Sequence, residues 1–173
     1  EESKKTLFTA LELLTDFSEE KAQKVSDLET VVDHYEDQLG SYLVKLSRKN
    51  LNSHDSHTLS IVLHCIGDFE RISDHAINIM EAAVEMNKKQ LAFSKKAEGE
   101  LKVFCDAIRD IVNSSYDVFI NQDLRKAQMI EPLEEVIDEL NKKKKKRHIR
   151  RLRNGKCTIE LGFILSDITT SLE

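Results

Sequence analysis

Glu70 and Asp74 stand four positions apart in the run Asp68-Phe69-Glu70-Arg71-Ile72-Ser73-Asp74-His75-Ala76-Ile77-Asn78-Ile79. In a helix that spacing puts both carboxylates on one face, about 40° apart around the axis. Like charges so placed repel each other, and a metal ion or an arginine would relieve them. The same Glu-x-x-x-Asp spacing occurs at Glu29/Asp33 and at Glu134/Asp138, and Glu173 opens a fourth copy where the chain stops. Hard oxygen donors suit magnesium, manganese and iron, and carboxylates on facing helices can bridge two ions. The alternative is a set of solvated acids paired with Lys and Arg. One pair alone would favour that alternative; three at matching places in two halves weigh toward metal.

A second concentration of charge lies in Lys142 to Arg153. Lys142, Lys143, Lys144, Lys145, Lys146, Arg147, Arg150, Arg151 and Arg153 make nine basic residues in twelve. Such a tract on a helix touches acidic lipid or a partner, or is a solvated face that complements its own helix dipole. Leu140, Ile149 and Leu152 give it a thin apolar seam, which favours an ordered helix. Arg71, between Glu70 and Asp74, is expected to salt-bridge locally, and His75 to sit at a core edge. The Glu-x-x-His of ferritin-like di-iron enzymes is absent. So are a glycine-rich phosphate loop, a Gly-x-Ser-x-Gly elbow and any nucleophile–base arrangement, and nothing in the sequence argues for catalysis.

The elements that must position these groups are helices. The 173 residues are 40% hydrophobic and 33% charged, with five Gly and one Pro; that scarcity of turn formers predicts long helices. No run approaches the ~18–20 apolar residues of a membrane span. The net charge of -5 gives no support to nucleic-acid binding. Cys65, Cys105 and Cys157 are odd in number and lie among apolar neighbours, as buried reduced thiols of a cytosolic protein do. The chain opens on Glu1 rather than Met, which points to a cut or processed terminus.

Apolar stripes at helical spacing predict helices over about 3–17, 19–49, 56–89, 95–118 and 124–153. A last one starts near Cys157 and is unfinished at Glu173. Ser18 is placed to cap the second, with Glu19 and Glu20 in its first turn. Pro132 marks either a start or a kink of the fifth. The stretch Ala22–Asp33 lines up with Ala127–Asp138 at an offset of 105, and Ile61–Glu70 with Ile164–Glu173 at an offset of 103. The expected architecture is therefore all-α: two repeated three-helix bundles, residues 1–92 and 93–173, with six helices and the last truncated.

At these residues the sequence resembles a known family. Asp68 to Ile79 resembles the PhoU-domain signature, a Glu-x-x-x-Asp followed by His and then Asn-Ile, and the doubled three-helix bundle is similar to that family. Arg147-His148-Ile149-x-Arg151-Leu152-x-x-Gly155-x-Cys157-Thr158-Ile159-Glu160-Leu161-Gly162-Phe163-Ile164-Leu165-Ser166-Asp167 resembles the PhoU-like tail of bacterial Na/phosphate cotransporters. The resemblance implies a non-enzymatic regulator of phosphate transport in the cytoplasm, at the inner face of the membrane. It implies Glu29, Asp33, Glu70, Asp74, Glu134, Asp138 and Glu173 as metal ligands. The metal would be multinuclear iron, with zinc, manganese or magnesium as alternatives. The implied partner is the membrane transporter portion of the same or another chain, with the basic tract on an acidic membrane surface; a homo-oligomer stays open. The alternatives are a free-standing PhoU adaptor and a metal-free helical interaction module. Leu172-Glu173 is either native or a vector scar.

Overall fold

The computed structural model describes residues 1–172. All secondary structure among them is helical: α1 Glu2–Leu13, α2 Glu19–Ser47, α3 Ser53–Lys88, α4 Lys95–Asn121, α5 Leu124–Ala127, α6 Ile130–Arg153 and α7 Ile159–Thr170. The fold is thus the expected all-α one, with six substantial helices and the single turn α5. The chain forms two compact units, Glu1–Glu81 and Ala82–Glu173, and α3 runs through both. No described helix is long and apolar enough to cross a membrane.

In the first unit α1 packs along α2. Leu7, Ala10, Leu11, Leu13 and Leu14 are buried, and Thr6, also buried, donates its hydroxyl to the Glu2 carbonyl at 2.9 Å. α1 stops at Leu13, four residues short of the expected end. Ser18 must be extended (φ -146°, ψ 132°) for its hydroxyl to accept the Lys21 amide, so the preceding residues leave the helix. α3 begins three residues earlier than the periodicity predicts. The Asn52 side chain accepts the Asp55 amide at 2.8 Å and donates to the Asp55 carboxylate at 2.8 Å, a reciprocal cap that pins the first turn. Val25 and Val32 of α2 are buried, as are Ser73, Ala76 and Ile79 of α3. The expected α2 stripe does not continue inward: Tyr35, Leu39 and Tyr42 are about half exposed.

The second unit is built on α4. Ser94 caps it by accepting the Ala97 amide, and Ala97, Leu101, Phe104, Cys105 and Ile108 form its buried stripe. Burying a side chain such as Leu101 or Phe104 contributes roughly 1.5–3 kcal/mol. α4 runs on to Asn121 and ends with Gln122 in the left-handed region (φ 53°). Asp123 then accepts the Arg125 and Lys126 amides to form α5. The predicted fifth helix is therefore two, and Pro132 sits in the first turn of α6, where its missing N–H has no consequence. α6 packs on α4 and on α7. Thr158 caps α7 by accepting the Leu161 amide, and Leu161, Ile164, Leu165 and Ile168 are its core. Cys105 is buried; Cys65 and Cys157 are half-buried, and all three are free thiols.

Candidate functional site

The first unit brings two acidic pairs together. Glu29 and Asp33 on α2 and Glu70 and Asp74 on α3 act on one another electrostatically. The Glu29 carboxyl is pushed above its usual range by partial burial, then by the charges of Asp33 and Asp74. That of Glu70 is pushed up by partial burial, by the charge of Asp74 and a hydrogen bond with it, and by Glu36 and Asp33. Glu36 was not among the sequence candidates. It lies three positions after Asp33 and seven after Glu29, so including the three- and seven-residue spacings of the same helix face would have found it.

Among the described residues, no Lys or Arg forms an ion pair with Glu29, Asp33, Glu36, Glu70 or Asp74. Arg71 is exposed and makes no ion pair there either, contrary to the expected local salt bridge. The five carboxylates therefore form a patch of uncompensated negative charge made only of hard oxygen donors, which in chemical type fits a divalent or trivalent cation. In spacing it is looser than a coordination sphere: among the described residues no three His, Cys, Asp or Glu side chains converge as a metal-holding group. His75 is half-buried beside this patch in sequence, and its Nδ1 is sealed from water with no hydrogen-bond partner.

The second unit treats its acids differently. Glu134 is exposed, and Asp138 forms an ion pair with Lys142 at 3.4 Å. The position aligned with Glu36 is Asn141, which is fully buried. Glu173 lies outside the described residues.

The basic tract is not a uniform surface. Ile137, Asn141, Lys144 and His148 are buried at spacings of four, three and four, a heptad-like stripe that faces α4 and α7. Lys144 is 3% exposed, with its ammonium 3.4 Å from the centroid of the Phe104 ring, a cation–π contact. Arg151 donates to Glu100 at 2.7 Å with both side chains about nine-tenths buried, and Arg147 reaches the other Glu100 oxygen at 3.3 Å. His148 packs over Gly162, and its Nδ1 lies 3.7 Å from the Cys157 sulfur. Burial, then the Arg151 charge, holds its imidazole below the usual histidine range. Lys144 and Arg151 are thus withdrawn from any membrane-facing set, because α4 supplies an aromatic face and a carboxylate that draw them inward. Lys142, Lys143, Lys145, Lys146, Arg147, Arg150 and Arg153 remain exposed, while Ile149, assigned to the apolar seam, is half exposed.

The PhoU domain family model matches residues 1–83 and 101–173. The "phosphate-specific transport system accessory protein PhoU homolog 1" of Thermotoga maritima is 25% identical over 169 residues, 97% of this chain and 72% of that protein. The crystal structure of PhoU from Pseudomonas aeruginosa superimposes with a TM-score of 0.85 at 18% identity, covering 99% of this chain and 81% of that one, a likeness of fold. With both halves matched by one family model, the chain belongs to the PhoU domain family.

Proposed function

We propose that this protein is a non-enzymatic accessory regulator of phosphate transport, working in the cytoplasm by docking on a membrane phosphate transporter. The family match across both halves carries this reading. The Thermotoga relative, an accessory protein of a phosphate-specific transport system, favours a free-standing adaptor. A second reading, the regulatory tail of a Na/phosphate cotransporter, rests on the Arg147–Asp167 resemblance; membrane spans encoded in the same gene would favour it. The test is uptake of radiolabelled phosphate in a strain lacking this gene, with and without the gene restored. A regulator changes the uptake rate in a way that restoration reverses; an unchanged rate at low and high external phosphate refutes the proposal.

Within this reading, the acidic patch of the first unit binds a cation. Glu29, Asp33, Glu70 and Asp74 would hold it, with Glu36 beside them and Glu134, Asp138 and Glu173 as the weaker counterpart set. When bound, the ion would supply positive charge that ties α2 to α3. Elemental analysis of protein purified without chelator tests this. About one or more iron, manganese or zinc per chain, lost in the Glu70→Ala/Asp74→Ala variant, supports the site. Metal-free folded protein supports a metal-free helical interaction module instead.

A further inference from the structure

Beside the buried Glu100 pair, the second unit holds a cavity of about 690 Å³ lined by Ser94, Lys96, Glu100, Arg147, Arg150, Arg151, Asn154 and Lys156. Five of these side chains are cationic and one is anionic, so the lining carries a net charge of +4 (five minus one). Glu100 is committed to Arg147 and Arg151. Lys96, Arg150 and Lys156 form no ion pair among the described residues and are exposed toward water.

The local backbone adds to the positive character. The cavity includes Ser94, the cap of α4, so the positive end of a 27-residue helix lies at its wall. The opposing end, the C-terminus of α6, does not present bare carbonyls. Gly155, at φ 64°, lets the Lys156 amide reach the Arg151 carbonyl at 2.9 Å and its own amide reach that of Leu152 at 3.0 Å. Those two bonds close the helix in a Schellman turn, so two of the acceptors that would repel an anion are occupied.

From this geometry we propose that the cavity is a binding site for an anion carrying more than one phosphoryl group. A net +4 exceeds what a single monoanion offsets, and guanidinium forks match phosphoryl oxygens in pairs. The lining contains no aromatic ring on which a nucleobase would stack, which favours the phosphate chain itself, such as pyrophosphate, over a nucleotide. A concave, walled site suits a soluble anion or a lipid headgroup drawn into it, and the same chemistry serves both sources. The site is separate in sequence and in charge from the acidic patch of the first unit, so it stands whether or not that patch binds metal.

The experiment is titration calorimetry of the full chain with sodium pyrophosphate at fixed ionic strength, alongside flotation with vesicles of cardiolipin, whose headgroup carries two phosphoryl groups, and with zwitterionic ones. The Lys96→Gln/Arg150→Gln/Lys156→Gln variant removes only exposed, unpaired cations and leaves the Glu100 pair whole. A control, Lys24→Gln/Lys45→Gln/Lys102→Gln, removes the same charge from exposed positions elsewhere. Pyrophosphate binding that weakens at least tenfold in the cavity variant and holds within twofold in the control supports the site with a free anion as ligand. Vesicle binding with the same pattern, and none of pyrophosphate, supports it with a headgroup as ligand. Equal weakening in both variants, unchanged binding in the cavity variant, or no binding in either arm overturns the proposal.

Discussion

Replacing glycine by alanine should have opposite consequences at two helical positions of the second unit. At Gly99, in α4, an added Cβ meets nothing within 4 Å. The substitution there gains helix propensity and restricts the unfolded chain, for about 0.5–1 kcal/mol of stabilisation. At Gly162, in α7, the same Cβ would lie 2.8 Å from His148 Nε2, with Leu152 Cδ1 a further 3.7 Å neighbour. The imidazole has little room to retreat: His148 is 7% exposed and its other nitrogen abuts the Cys157 sulfur. Forcing one extra carbon into packing of this kind typically costs about 1–3 kcal/mol. The propensity gain is common to both sites, so Gly162→Ala should be less stable than Gly99→Ala by about 1–3 kcal/mol. Urea denaturation followed by circular dichroism reads this as a shift in midpoint at constant slope. The double variant Gly162→Ala/His148→Ala should recover part of the loss, because the clashing ring is gone; a double-mutant cycle measures how much. If Gly162→Ala proves as stable as Gly99→Ala, the close seating of His148 on α7 is refuted.

Two further outcomes follow from the same unit. The imidazole of His148 is held below 6.5 by burial and by Arg151, so below that pH the unfolded chain binds a proton that the folded chain resists. Its contribution is complete above pH 6.5 and is lost as the pH falls toward the folded value; His148→Gln should flatten that part of the stability profile in denaturant titrations between pH 7.5 and 5.5. The Cys105 thiol is pushed up to about 11 from 9.0, chiefly by burial, which lowers its thiolate fraction at pH 8 about 100-fold. Iodoacetamide under native conditions should therefore label Cys65 well before Cys105, as peptide mass spectrometry would show, and comparable labelling would contradict the buried placement.

Much of the fold was legible because the signals that specify it are local. Ser18 and Ser94 cap the helices they precede, and the apolar stripes of α1, α4 and α7 are one-helix patterns. Boundaries failed where a side chain outside the periodic run decided them, as with Asn52 at the start of α3. The inward placement of Lys144 and Arg151 in the basic tract is hidden for a deeper reason. Lysine and arginine are normally solvated, and only Glu100 and Phe104, some forty to fifty positions upstream, make Lys144 and Arg151 inward residues. No local pattern announces that partnership. Glu36 was legible in principle, since it continues the Glu29/Asp33 face, but a rule restricted to four-residue pairs passes over a residue at the seventh position.

The polar stripe of α6 also bears on how a doubled chain assembles correctly. A protein made of two similar halves risks exchanging equivalent helices while it folds, and such mispairing is a common failure of repeats. Helix α2 is the natural impostor for α6, since the two align at an offset of 105. At the positions matching Asn141, Lys144, His148 and Arg151, α2 carries Glu36, Leu39, Leu43 and Leu46. Seated on α4, it would offer no cation to Glu100 and would set Glu36 where a neutral amide is buried. The converse swap would take Lys144 and Arg151 away from the Phe104 ring and the Glu100 carboxylate that hold them in the native pairing. The two helices thus differ in charge where they are alike in pattern, and a swapped pairing would forfeit the Glu100 ion pairs and the Phe104 cation–π contact as well as the fit of the side chains.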